Sequence, residues 1–173
     1  MLRRRMTAIN MPAPPVTYAD GSLSYGVAVM TVKTITARGR MDSGMDVHVQ
    51  CGNHTLIMDQ PKNAAGKDLG PTPLEAILAA VAGCFGTIGR FIAHQQKFEL
   101  RGMQFELEAD YDPDGLLGRN PEVRPGFQAL RVTVEVDADL DVAQKQAFLE
   151  LIEQRCPLAD NLLHGTRLIS RLA

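Results

Sequence analysis

Three thiols, Cys51, Cys84 and Cys156, are the side chains of this sequence best suited to chemistry, and they stand in different surroundings. Cys84 lies deep in the apolar run AILAAVAGCFGTIG, whereas Cys156 directly precedes a proline in EQRCPLADNL. The thiolate is the reactive form of cysteine, and it is favoured by the amide dipoles of a helix start or by a nearby cation. Pro157 suits the first position of a helix, which sets Cys156 at the cap with its sulfur beside free amides. Cys156 thus reads as the activated thiol and Cys84 as the shielded one. Taken alone, each has a plainer reading: Cys84 as a small packed hydrophobe, Cys156 as an unreactive cap. If the fold brings the two sulfurs together, the chain has the parts of a thiol peroxidase.

Other charged and ligating residues are weaker candidates. Arg38 and Arg40, in TARGRMD, are the cations best placed to reach a site from the first sheet, or they belong to a solvated loop. Glu75 follows Thr72 by three residues and completes a capping box. At about 100° per residue, nine residues put it on the side of the helix opposite Cys84. Cys51 reads as structural. His48 and Cys51 fall on opposite faces of one strand and a turn separates His54, so no metal site is expected. Arg90 and His94 mark where the apolar helix returns to water.

The elements that must position these groups follow from periodicity. Residues 1–22, rich in Pro and Arg, read as a mobile tail, and residues 23–173 as a single domain. A mixed strand pattern runs from Tyr25 to about Thr36. MDVHVQC alternates Val47, Val49 and Cys51 against Asp46, His48 and Gln50, and a turn at Cys51–His54 leads into TLIMD. After the Gly-rich segment PKNAAGKDLGPT, Thr72 and Pro73 open a long helix that runs to about Gln96. RGMQFELEADYD and ALRVTVEVD alternate strictly, as antiparallel strands with one wet face do. The long segment between them is expected to fold over a site. A second helix runs from about Asp141 to Arg155, Cys156-Pro157 opens a further turn, and TRLISRLA is expected to return as a short strand. The order is strands, helix, strands, helix, which gives an α+β class with mainly antiparallel sheets.

The stretch 76–89 has no polar face, so it must be surrounded. Its ridge of Ala79, Ala82, Gly83, Gly86 and Gly89 admits a close neighbour, and a second copy of the chain is the expected cover, making a homodimer.

Composition narrows the rest. The 173 residues carry a formal charge of -2, and the only basic run is Arg3–Arg5, so nucleic acid is not an expected partner. The uncharged apolar stretch from Ala76 to Gly89 is too short to cross a bilayer. No secretion signal follows the N-terminal arginines, which points to the cytoplasm. In that reducing compartment a disulfide is more often transient and catalytic than structural.

GPTPLEAILAAVAGC followed downstream by RCPLADNL resembles the OsmC/Ohr family of osmotically inducible and organic hydroperoxide resistance proteins. The likeness covers about residues 25–173 and includes HTLIMDQP and DPDGLLGRNPEVRPGFQ. It implies an intertwined α+β homodimer with two sites at the subunit interface, and cysteine-based reduction of small-molecule hydroperoxides without a cofactor. A dithiol reductant would reset the cycle. By this resemblance Cys84 is the peroxidatic cysteine and Cys156 the resolving one. An arginine of the N-terminal sheet, Arg38 or Arg40 here, and a glutamate ten residues before the peroxidatic cysteine assist it. In this chain that position is Leu74, with Glu75 one place later, a pattern similar to the OsmC-like branch.

Overall fold

The structure, a computed structural model, describes residues 32–172 and the short strands β1 (Val16–Thr17) and β2 (Leu23–Ser24). The expectation of a mobile tail over residues 1–22 falls largely outside the described residues. The chain divides into two units, residues 1–36 and 37–173. In the first, β1 and β2 pair antiparallel.

The second unit holds two antiparallel sheets. β3 (Ala37–Met41), β4 (Val47–Cys51) and β5 (His54–Met58) form one, in that order. Residues 32–36, the described part of the expected Tyr25–Thr36 strand, are irregular, with Val32 and Ile35 exposed; the rest of that pattern lies outside the described residues. β-Branched residues favour a strand only where a neighbour completes the ladder. The partner β4 pairs residue for residue with 37–41 alone. Arg38 and Arg40 therefore lie on a strand, not in a loop.

β5 leads into a loop closed by one buried carboxylate. Asp59, 1% exposed, accepts the amides of Gln60 at 2.7 Å, Lys67 at 2.9 Å and Leu69 at 3.3 Å. The turn is tight enough to require glycine. A β-carbon on Gly66 would lie 1.7 Å from the Gln60 carbonyl oxygen, and one on Gly70 2.1 Å from that of Ile57.

The loop delivers the chain to α1 (Pro73–Gln96). Its start is the expected capping box. Thr72 Oγ1 accepts the Glu75 amide at 3.3 Å, and the Thr72 amide donates to Glu75 Oε2 at 2.7 Å. Caps of this kind stabilise a helix by about 1 kcal/mol. The helix ends at Lys97, in the left-handed conformation with φ 58°, its N–H turned back to the Ala93 and His94 carbonyls.

β6 (Leu100–Asp110) and β7 (Ala129–Ala138) form the second sheet, antiparallel, with an irregularity between Leu100 and Gly102. The segment between them carries α2 (Pro113–Leu116). α3 (Val142–Arg155) starts from Asp141, which shares a capping box with Gln144, and α4 (Pro157–His164) follows after Cys156. α1 packs on β6, α3 and α4. The resulting core joins Val81, Phe85 and Ile92 of α1 to Phe148 and Ile152 of α3 and to the inward rows of β6 and β7. Burying a side chain such as Ile152, 0% exposed, contributes roughly 1.5–3 kcal/mol.

Two expectations need correction. Thr166–Leu172 forms no strand; Leu168 and Leu172 stand in solvent with no ladder to join. The glycine ridge of α1 also divides. Gly89 is where β6 and α3 close on the helix: a β-carbon there would meet Met103 Sδ at 2.8 Å and Ile152 Cδ1 at 3.2 Å. Gly86 faces Phe105, whereas Gly83 faces open space. Within one chain α1 is covered on one face only, and Ile77, Ala80, Gly83, Thr87 and Phe91 are exposed.

By length and composition the full 24-residue helix is apolar enough to span a bilayer, its most apolar window having a mean hydropathy of 1.8. The same length and composition are those of a core helix, and α1 packs on β6, α3 and α4.

Candidate functional site

Pro157 is the residue that shapes the site. A proline has no N–H to continue a helix and holds the preceding residue in extended conformation. Cys156 accordingly adopts φ -77° and ψ 113°, ending α3 and capping α4 in the same residue. Its sulfur turns inward and accepts the Ala159 amide at 3.4 Å. A second contact steadies the kink from outside: Arg155 Nη1 donates to Gln95 Oε1 at 2.6 Å, tying the end of α3 to the end of α1.

Seventy-two residues apart in sequence, Cys156 Sγ and Cys84 Sγ lie 2.9 Å apart, both as free thiols. A disulfide bond needs about 2.05 Å, so a small approach of the two sulfurs would join them. Their accessibilities reverse the first reading. Cys156, expected to be the activated thiol, is 1% exposed, whereas Cys84, expected to be the shielded one, is half-buried and the more accessible of the two. Position at a cap sets the direction of a sulfur, not its exposure; here α4 folds back over α1 and encloses its own cap.

Burial pushes the Cys84 thiol above its ordinary range, and the hydrogen bond and charge of Cys156 push the same way. The Leu158 backbone amide, hydrogen-bonded to Cys84, opposes them without prevailing. The first turn of α4 thus directs one amide to each sulfur, Leu158 to Cys84 and Ala159 to Cys156. No cation contributes to the acidity of Cys84 among the described residues.

The other candidates stand apart from the pair. Glu75 is engaged by Thr72 through both amide and hydroxyl, which hold its carboxyl below the usual range. Arg40 pairs with Asp42 at 3.0 Å at the surface. Register places Arg38 and Arg40 beside His48 and Gln50 on one face of the three-stranded sheet, and Gly39, Met41, Val47 and Val49 on the other. Neither arginine hydrogen-bonds or ion-pairs with a cysteine among the described residues. Cys51 is exposed at the end of β4, with His48 on the opposite face, and no metal-binding group of His, Cys, Asp or Glu occurs among the described residues.

Sequence reasoning missed Asp59, whose burial becomes visible only once the loop closes around it. An acidic residue between an apolar strand and a glycine-rich loop was the available signal.

The geometry can be set against known proteins. No curated protein matches the sequence. Among solved structures, an OsmC-like protein from Mycoplasma pneumoniae superposes with a TM-score of 0.67 at 15% identity, covering 78% of this chain and 90% of that one. An organic hydroperoxide resistance protein OsmC from Legionella pneumophila gives 0.60 at 20% identity, covering 78% and 93%. The organic hydroperoxide resistance protein OhrB of Bacillus subtilis gives 0.53 at 22% identity, covering 77% and 93%. At these identities the likeness is one of fold. The sequence model described as OsmC-like protein matches residues 66–170, more than half of the chain, a stretch that contains α1, both facing sulfurs and the sheet between them; the chain belongs to this family.

Proposed function

We propose that the protein is a thiol-dependent peroxidase for organic hydroperoxides, working through Cys84 and Cys156 in the cytoplasm. The observation that carries this reading is the 2.9 Å separation of two free sulfurs 72 residues apart. In the proposed cycle the Cys84 thiolate attacks the distal oxygen of the hydroperoxide. The O–O bond breaks, the alkoxide leaves and takes up a proton as the alcohol, and Cys84 becomes a sulfenic acid. The Cys156 thiolate then attacks that sulfur and displaces hydroxide, which leaves as water, and the two residues form a disulfide. An external dithiol returns two electrons by exchange. The greater exposure of Cys84 suits the attacking role, and Val81, Phe85 and Ile88 around it favour an organic peroxide over hydrogen peroxide.

The exposed face of α1 and the uncovered three-stranded sheet support a homodimer, in which Arg38 or Arg40 would approach a cysteine pair from the partner. Such an arginine would lower the Cys84 pKa, which one chain alone raises.

One observation favours a second reading, a non-catalytic dimer that binds a small apolar or thiol-containing ligand. Leu74 occupies the place of the family's glutamate, and Glu75 is held in the helix cap. Peroxide consumption with dithiothreitol separates the two. The peroxidase reading expects turnover by the wild type, none by Cys84→Ser, and a stalled or slowed cycle in Cys156→Ser. Undiminished turnover by Cys84→Ser would sink it, and a wild type inert toward tert-butyl, cumene and lipid hydroperoxides would favour the binding module.

A further inference from the structure

Away from the sulfurs, two adjoining cavities run between α1, β7 and α4. The outer one, ≈ 450 Å³, is walled by Leu74, Ile77, Phe127, Leu130, Leu162 and Leu163, with Arg124 at its rim. The inner one, ≈ 230 Å³, shares Leu130, Leu162 and Leu163 and ends against Leu149 and Glu153. Together they form an apolar trough of a size that small-molecule sites commonly have. Leu163, on its wall, is 67% exposed, and Leu162 beside it 46%.

The charges at the two ends decide what the trough suits. Arg124 makes no ion pair or side-chain hydrogen bond among the described residues. Its guanidinium lies back over Gly126, where a β-carbon would come within 3.4 Å of Nε and Nη2, so the glycine leaves room for this pose. A planar guanidinium matches a carboxylate with two parallel hydrogen bonds. The carboxylate of Glu153 at the inner end repels an anion and so sets the direction in which one would lie.

We propose that the trough binds an aliphatic carboxylate, its head on Arg124 and its chain along Leu130, Leu162 and Leu163. The trough adjoins the peroxidase site at Leu74, Val81 and Phe85, but the proposal does not rest on that reading, because neither Cys84 nor Cys156 lines either cavity.

Calorimetric titration of the full chain with decanoate, below its micellar concentration, and with 1-decanol tests it. Decanoate is expected to bind saturably and more tightly than decanol. Arg124→Gln should weaken decanoate about tenfold or more, the size of a lost charge-assisted pair, and leave decanol unchanged. Leu163→Asp should weaken both while the circular dichroism stays that of the wild type. Equal affinity for acid and alcohol, or a decanoate affinity indifferent to Arg124→Gln, would overturn the proposal. So would an absence of binding accompanied by a change of oligomeric mass in Leu163→Asp, which would assign the trough to a second copy of the chain.

Discussion

Gly83 and Gly89 lie on the same helix six positions apart, and replacing each by alanine separates helix propensity from packing. In a helix interior alanine is favoured over glycine by about 1 kcal/mol. That gain is common to both variants. At Gly83 a β-carbon meets nothing within 4 Å, so Gly83→Ala should keep the gain. At Gly89 it would meet Met103 Sδ at 2.8 Å, Ile152 Cδ1 at 3.2 Å and Phe148 Cζ at 3.4 Å. Met103 ends in a flexible thioether and can yield, but Ile152 and Phe148 belong to the buried core. Overpacking of this kind costs about 1–3 kcal/mol. Gly83→Ala is therefore expected to be the more stable of the two by about 1–3 kcal/mol, with Gly89→Ala at or below the wild type. Urea unfolding followed by circular dichroism, with unchanged slopes, measures the gap. The consequence reaches the site, because Gly89 is where α1 seats on β6 and α3. Oxidation by diamide should join Cys84 to Cys156 more slowly in Gly89→Ala and at the wild-type rate in Gly83→Ala. Equal stability gains in the two variants would refute the argument that β6 and α3 require the bare backbone at Gly89.

Further outcomes follow from the electrostatics of Cys84 and Asp59. Because burial, and then Cys156, raise the Cys84 pKa above its usual value, alkylation of Cys84 by iodoacetamide in the monomeric chain should climb about tenfold per pH unit from pH 7 to 8.5. A plateau below pH 8 would contradict that direction. The same raised pKa makes the Cys84 contribution to stability full below about pH 8.5, the ordinary thiol value, and lost as pH rises through the folded-state value. Asp59 runs the other way. Burial pushes its carboxyl up, but the amides of Lys67, Gln60 and Leu69 outweigh it and hold the pKa below the usual range. Its contribution is present above about pH 3.9 and lost as pH falls below that value. Asp59→Asn should accordingly speed tryptic cleavage after Lys62 and Lys67 at neutral pH while leaving Cys84–Cys156 oxidation intact; unaltered cleavage would mean that the carboxylate does not hold the loop.

Local rules carried the reading of the elements a long way. Thr72, Pro73 and Glu75 are a helix start written in consecutive residues, and α1 begins and ends where they and the apolar run place it. β6 and β7 announced themselves by alternation, since one face of each is wet. What failed depended on partners distant in sequence. Residues 32–36 have strand propensity but no ladder among the described residues, Thr166–Leu172 likewise, and the exposure of each thiol is decided by how α4 folds over α1. The pairing of Cys84 with Cys156 was legible through family resemblance, not spacing, because no local rule spans 72 residues.

The sulfur pair and the groups that would tune it are specified by different parts of the molecule. Proximity comes from the buried core: α1 fixes Cys84, and the Pro157 break between α3 and α4 fixes Cys156. Acidity does not, for burial and the neighbouring thiol both work against the thiolate, and only one amide from the first turn of α4 favours it. In the proposed cycle disulfide formation depends on the first property and attack on a peroxide on the second, so the arrangement within one chain favours the former more than the latter. The surfaces that could supply a cation, the polar face of the β3–β5 sheet with Arg38 and Arg40 and the bare face of α1, are those left uncovered. A second copy covering them would bury apolar area and bring charge toward the cysteines in one step, and would thereby couple assembly to the reactivity of Cys84.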